Sequence, residues 1–202
     1  MIGKLSAFFQ ARILRITNPR LSVALDIPSH LTTEERITLY RLASSRKEVL
    51  EIGSYLGASA CCFGAALKEA KAGRLFCVDT WRNEGMSEGS RDTYAEFTAN
   101  TAPFSEFVVP VRGQSVDVFE QVKSMTGHLD LLFIDGDHSY EGVKADWEVY
   151  RHILKPGSII AFHDWGWAEG VRRVVIEDVM PRVVSFAQLP NMWWGTIGRE
   201  AC

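Results

Sequence analysis

Apolar residues fall along this chain in short unbroken runs, each closed by a turn signal and followed by a segment of helical spacing. Runs over 47–52, 74–78, 107–111, 129–134 and 158–162 read as buried strands. Segments 58–70, 91–101, 116–125, 140–154 and 168–179 read as helices, with Lys155-Pro156-Gly157 as the stop signal of the fourth. Ahead of them, Thr32-Thr33-Glu34-Glu35 has the form of a capping box opening a helix through Ser44. Regular alternation of strand and helix predicts a parallel sheet with right-handed crossovers and helices on both faces.

The end of the chain breaks this rhythm. Segments 183–189 and 192–198 read as strands with only Pro190-Asn191 between them. That is a β-hairpin, so the last strand runs antiparallel to its neighbour. The expected fold is α/β: a Rossmann-like, mostly parallel seven-stranded sheet with helices on both faces and a C-terminal antiparallel hairpin. Residues 47–202 would form this domain. Residues 1–46 would be a helical segment serving as lid, packing element or dimer contact.

With 202 residues the chain suffices for one domain with a sizeable core. A net charge of −3 provides no basic face of the kind that holds nucleic acid. The cysteines Cys61, Cys62, Cys77 and Cys202 form no CxxC pair, so a zinc site or disulfide framework is not expected and a reducing, cytoplasmic setting is the default. No apolar stretch reaches the length of a membrane span. Leu5, Phe8, Phe9, Ile13, Leu14 and Ile16 fall roughly on one helical face among Lys4, Arg12, Arg15 and Arg20. That helix could pack on the domain, meet a second copy in a homodimer, border the substrate entrance or touch a membrane surface. The loop 82–90, rich in Gly, Ser and Glu, follows a strand end and could be an active-site lid or an ordinary surface loop.

Chemistry concentrates where strands end. The fourth run closes in Asp135-Gly136-Asp137-His138 and the fifth in His163-Asp164. Ligands of open α/β sheets sit just beyond such ends. The first strand leads into Glu51-Ile52-Gly53-Ser54-Tyr55-Leu56-Gly57, whose glycines permit a tight turn and a close approach to the next helix N-terminus. The spacing is not the G-x-G-x-x-G of nicotinamide binding, and the acid two residues before Gly53 favours a ligand with an amino or cationic group. Asp79, followed by Thr80, ends the second strand, where an acid can accept ribose hydroxyls. Gly113-Gln114-Ser115 ends the third, beside the expected place of an adenine.

Together these motifs resemble the class I S-adenosylmethionine-dependent methyltransferases. The run IDGDHSYEGV with LKPGSIIAFHD resembles the branch of macrocin-type O-methyltransferases and cephalosporin-hydroxylase-like proteins. The resemblance implies S-adenosylmethionine as cofactor, with Glu51, Gly53, Ser54, Tyr55 and Gly57 at the methionine portion. It implies Asp79 and Thr80 at the ribose, Gln114 and Ser115 at the adenine, and Asp135 beside the cofactor. It further implies methyl transfer to a hydroxyl of a small molecule, such as a glycoside or natural product.

Such an acceptor needs a base, a metal or both. In metal-dependent relatives the matching ligand positions here are Asp135, His163 and Asp164, and the base position is His138. An imidazole among the ligands suits manganese, iron or zinc better than magnesium. The other course needs no metal: His138 or His163 acts as the catalytic base, oriented by a neighbouring Asp. Trp81, Trp165 and Trp167 follow strand ends and could ring the acceptor, or pack in the core; Trp147, Trp193 and Trp194 read as core or interface. N-methylation, or a binding protein without turnover, are the competing functions.

Overall fold

The computed structural model describes residues 19–83 and 89–199. The amphipathic segment 1–16, the tip of the 82–90 loop and Cys202 lie outside the described residues.

Two helices precede the sheet, α1 (Ser22–Asp26) and α2 (Thr33–Ala43). The capping box that opens α2 is present in both directions: the Thr32 hydroxyl accepts the Glu35 N–H, and the Glu35 carboxylate accepts the Thr32 N–H at 2.7 Å. The alternating units follow as β1 (Glu48–Ile52), α3 (Ala58–Ala70), β2 (Arg74–Asp79), α4 (Tyr94–Thr101), β3 (Val108–Arg112), α5 (Phe119–Met125), β4 (Leu129–Ile134), α6 (Tyr140–Tyr150), β5 (Leu154–His163) and α7 (Glu169–Val174). The chain closes with β6 (Val183–Leu189) and β7 (Met192–Ile197).

The seven strands run in the order β3-β2-β1-β4-β5-β7-β6, with β7 antiparallel to β5 and β6. Strand order reverses direction between β1 and β4, so the crevice above their carboxyl ends is the natural ligand position.

Four elements differ from the periodicity at their ends. The helix expected over 140–154 ends at Tyr150, and β5 begins at Leu154. Lys155-Pro156-Gly157 therefore lies inside an extended strand rather than closing a helix. Gly157 adopts φ +88°, and the ladder with β4 shifts register between Leu129 and Leu131. The segment is an irregular strand start, where a proline and a glycine are tolerated. The helices expected from 91 and 116 begin at Tyr94 and Phe119.

Alternation along the strands sends side chains to two cores. Val49, Leu131, Phe133, Ile159 and Ala161 join Leu39, Phe63 and Phe97 on the face covered by α2, α3 and α4. Leu50, Ile52, Leu132, Ile134, Ile160 and Phe162 join Trp147, Tyr150 and Val174 on the opposite face. Leu21, Ala24, Leu31, Leu39 and Ala43 are part of the first core, so residues 19–46 are packed into the domain. The same parity puts Glu51, Asp135 and His163 on the α2 side, a consequence for the site.

Candidate active site

One cavity of about 780 Å³ opens over the carboxyl ends of β1, β2, β4 and β5. Its first wall is the turn from β1 to α3. Gly53 adopts φ +87°, and a Cβ there would stand 2.0 Å from the Asp135 carbonyl oxygen. Gly57 adopts φ +89° and caps α3 without a side-chain bond, leaving the helix N-terminus to the cavity. Asp79 braces this turn: its carboxylate accepts the N–H groups of Ser54 and Tyr55, each at 2.8 Å, and of Trp81 at 2.6 Å. Ser54, Tyr55, Asp79, Thr80, Gln114 and Ser115 all line the cavity.

Glu51 lies deeper than these residues. It is fully buried beneath the turn and does not line the cavity. Neither of its carboxylate oxygens completes a hydrogen bond. Burial, aided by the charge of Asp135, pushes its pKa from 4.5 up to about 7.

The opposite wall is the acid–histidine cluster. His138 Nε2 lies 2.8 Å from Asp164 Oδ2. Asp164 takes a left-handed backbone (φ +59°) as β5 ends, a conformation Asp tolerates better than most residues. Its Oδ1 accepts the Trp167 indole N–H at 2.7 Å and the Asn191 amide at 3.0 Å. Burial alone would raise its pKa, but bonds from His138 and His163 hold it well below the carboxylate range. The hydrogen bond to Asp164 raises His138 above the ordinary histidine value.

His163 occupies a different place from His138. Strand parity turns its ring under the site toward α2, where it is 2% exposed. Nδ1 stands 3.1 Å from Asp135 and 3.3 Å from Asp164, and Nε2 stands 3.6 Å from Glu35. Burial would lower its pKa, but the Asp135 charge and the surrounding carboxylates lift it to about 12. The ring also lines the cavity, and the Asn191 amide stands 3.4 Å from its Nε2. The structure brings the expected ligand set Asp135, His163 and Asp164 together at one place. Among the described residues, the ligand atoms that converge, within 4.8 Å of one another, belong to Asp135, His138 and Asp164.

Of the tryptophans placed near the acceptor, Trp81 is buried against Tyr94 and Phe97 and belongs to the core. Trp165 packs near Trp193. Trp167 lines the cavity, 60% exposed, with its ring 5.0 Å from that of His138.

Three site residues escaped sequence reasoning. Glu35 appeared only as a capping residue, and Asn191 only as a turn residue. Asp146, buried on α6 and lining the cavity beside Ser115, takes a hydrogen bond from the Ser115 hydroxyl, and burial raises its pKa to about 6. Its spacing of four from Tyr150, whose hydroxyl donates to the Ser115 carbonyl, was the available signal.

A family model described as a methyltransferase domain matches residues 50–165. The chain belongs to that family. The methyltransferase is 30% identical over 120 residues to the uncharacterized protein y4gI of Sinorhizobium fredii, a match covering 58% of this chain and 13% of that protein. A second curated relative is covered to 50%, so the chain spans at most about half the length of these relatives. Among solved structures, it is similar to the O-methyltransferase TomG from Streptomyces achromogenes, involved in tomaymycin synthesis and solved in complex with SAM. That match has 16% identity, a TM-score of 0.68 and 89% of each chain covered. It is also similar to MycE of the mycinamycin biosynthetic pathway, solved with Mg, SAH and mycinamycin VI. Here identity is 15% and the TM-score 0.61, over 92% of this chain and 54% of that one. At these identities the likeness establishes the fold.

The raised pKa of Glu51 in this methyltransferase carries a stability prediction. Below pH 4.5 the carboxyl is protonated in folded and unfolded chains alike. Between 4.5 and about 7 the unfolded chain releases its proton first, so stability falls as pH rises. Above that window the full cost remains, on the order of 3 kcal/mol. Glu51→Gln removes the ionisation, so its melting temperature should exceed that of the parent at pH 8 and match it near pH 4.5. Parallel thermal melts across that range check this.

Proposed function

We propose that this methyltransferase transfers the methyl group of S-adenosylmethionine to a hydroxyl oxygen of a small molecule, with His138 taking the hydroxyl proton. The observation that carries this reading is the single cavity with two unlike ends. One end is a glycine turn at the strand-order reversal, and the other is the His138–Asp164 pair.

The residues at the first end fit the cofactor. The Gly53 position has no room for a side chain. Asn83 Oδ1 and Thr93 Oγ1 belong to buried residues that line the cavity, and neither atom has a hydrogen-bond partner. A ligand rich in hydroxyl and amino groups would satisfy both. TomG holds SAM and MycE holds SAH in the same fold. When bound, the cofactor supplies an electrophilic methyl carbon on a sulfonium.

At the second end the protein must orient a hydroxyl and remove its proton. Asp164 fixes the His138 ring through Nε2, which stabilises the imidazolium that proton uptake forms. The exposed face of Trp167, its indole tied to Asp164, offers a flat platform for a sugar or aromatic ring bearing that hydroxyl. Asp135, His138 and Asp164 also form a donor set suited to a divalent ion of the manganese, iron or zinc kind. Such an ion would lower the pKa of the hydroxyl. His138 cannot ligate and accept a proton at one nitrogen, so a chelator added during turnover separates the two courses: retained activity is expected for the histidine base.

No described helix is long and apolar enough to cross a membrane. A cytoplasmic setting and a homodimer remain part of the proposal. Titration calorimetry with S-adenosylhomocysteine and with NAD tests the whole reading. Binding of the former alone is expected, and its failure to bind would sink the assignment.

A further inference from the structure

We infer that Glu35, outside the segment matched by the family model, is a positioning residue for the acceptor-side cluster and acts through His163. Glu35 is 1% exposed, although its capping role needs no burial. Its Oε2 accepts the Thr32 N–H at 2.7 Å and the Thr32 hydroxyl at 2.8 Å, and the same oxygen stands 3.6 Å from His163 Nε2. The far side of the imidazole meets Asp135 and Asp164, and Asp164 in turn holds His138 at 2.8 Å and the Trp167 indole at 2.7 Å. Carboxylate and imidazole thus alternate from the first turn of α2 to the proposed base and the proposed ring platform.

A carboxylate this deeply buried is costly unless paired, and the His163 imidazole is the basic group beside it. The neighbouring residue works the same turn outward. Arg36, also buried, donates to the carbonyls of Ala24 and Ile27 and so fixes the backbone leading into Pro28–Leu31, which forms part of the cavity wall. One helical turn therefore sets both the wall of the acceptor space and the strut beneath its chemistry. The contact fixes which way the His163 ring faces, and through it the directions of the Asp135 and Asp164 carboxylates.

This inference rests on the reading of that cluster as the place of acceptor activation, but its test needs no acceptor. Glutamine is an accepted partner in a capping box, so Glu35→Gln keeps the cap and removes the charge. In ¹⁵N-labelled protein, Glu35→Gln is expected to shift the Trp167 indole N–H signal while leaving that of Trp147, in the opposite core, in place. In a His163→Asn background the same substitution should leave Trp167 unmoved, because the link is already cut. The reverse experiment covers a poorly folding Glu35→Gln chain: His163→Asn alone should shift the Thr32 amide that bonds Glu35. A Trp167 signal unchanged by Glu35→Gln, an equal shift in the His163→Asn background, or a Thr32 amide indifferent to His163→Asn each overturns the inference. None of these bears on S-adenosylhomocysteine binding, so failure here and failure of the methyltransferase reading are told apart.

Discussion

His138→Ala is expected to lower kcat by about 10²- to 10⁴-fold and to leave the affinity for S-adenosylhomocysteine unchanged. That range is the usual worth of a positioned general base. The separation of effects follows from the geometry. His138 stands at the β4 end of the cavity, bonded to Asp164, whereas the turn held by Asp79 belongs to β1 and β2. No bond among the described residues links the His138 ring directly to that turn. Alanine leaves Asp164 with three other partners, His163, Trp167 and Asn191, so the strand end keeps its shape. Turnover of a hydroxylated acceptor and calorimetric binding, measured on the same preparation, decide the matter. An equal loss in both would reject His138 as the base and make it a structural residue of the pocket.

The parts of this site legible in the sequence are those whose signals are local. Apolar runs ending in Asp135 and His163 announced the strand ends, and Pro190-Asn191 announced the hairpin. Glycine spacing with Asp79 announced the turn from β1 to α3 that walls the cavity. What sequence could not supply is the partner of each side chain across the fold. Glu35 satisfies its local rule completely, so nothing in the capping box points to His163 far along the chain. Asn191 is a good turn residue for the same reason, and its amide on Asp164 is visible only once β7 lies beside β5. Trp81 and Trp167 illustrate the limit from the other direction. Both follow strand ends, but the left-handed backbone of Trp81 (φ +51°) turns its ring into the core, and only Trp167 remains at the cavity. The misplaced helix end has a related cause. Lys155-Pro156-Gly157 is a valid stop signal, but pairing with β4 draws Leu154 into the sheet first.

Gly53→Ala is expected to cost about 2–5 kcal/mol of stability and to abolish measurable S-adenosylhomocysteine binding. Two effects add at this position. A side chain at φ +87° is strained by roughly 1–2 kcal/mol. The new methyl would also meet backbone, with the Asp135 carbonyl oxygen at 2.0 Å and the Gly136 nitrogen at 2.9 Å, and overpacking of this kind costs about 1–3 kcal/mol. Backbone cannot rotate away as a side chain can. Relief requires β1 and β4 to part where the Asp135 N–H bonds the Ile52 carbonyl, at the base of the cavity. Gly57→Ala is the informative comparison. Its backbone angle is nearly the same at φ +89°, but the nearest atoms belong to the side chains of Thr101 and Phe97, at 2.9 and 3.1 Å. Those can give way, so Gly57→Ala should retain the strain cost and lose less binding. Melting temperatures and calorimetry on the two variants separate the contributions. Similar losses of binding in both would mean that left-handed strain alone governs the turn. A much larger loss at Gly53 would mean that the contact between the β1 and β4 ends forms the floor of the cofactor site.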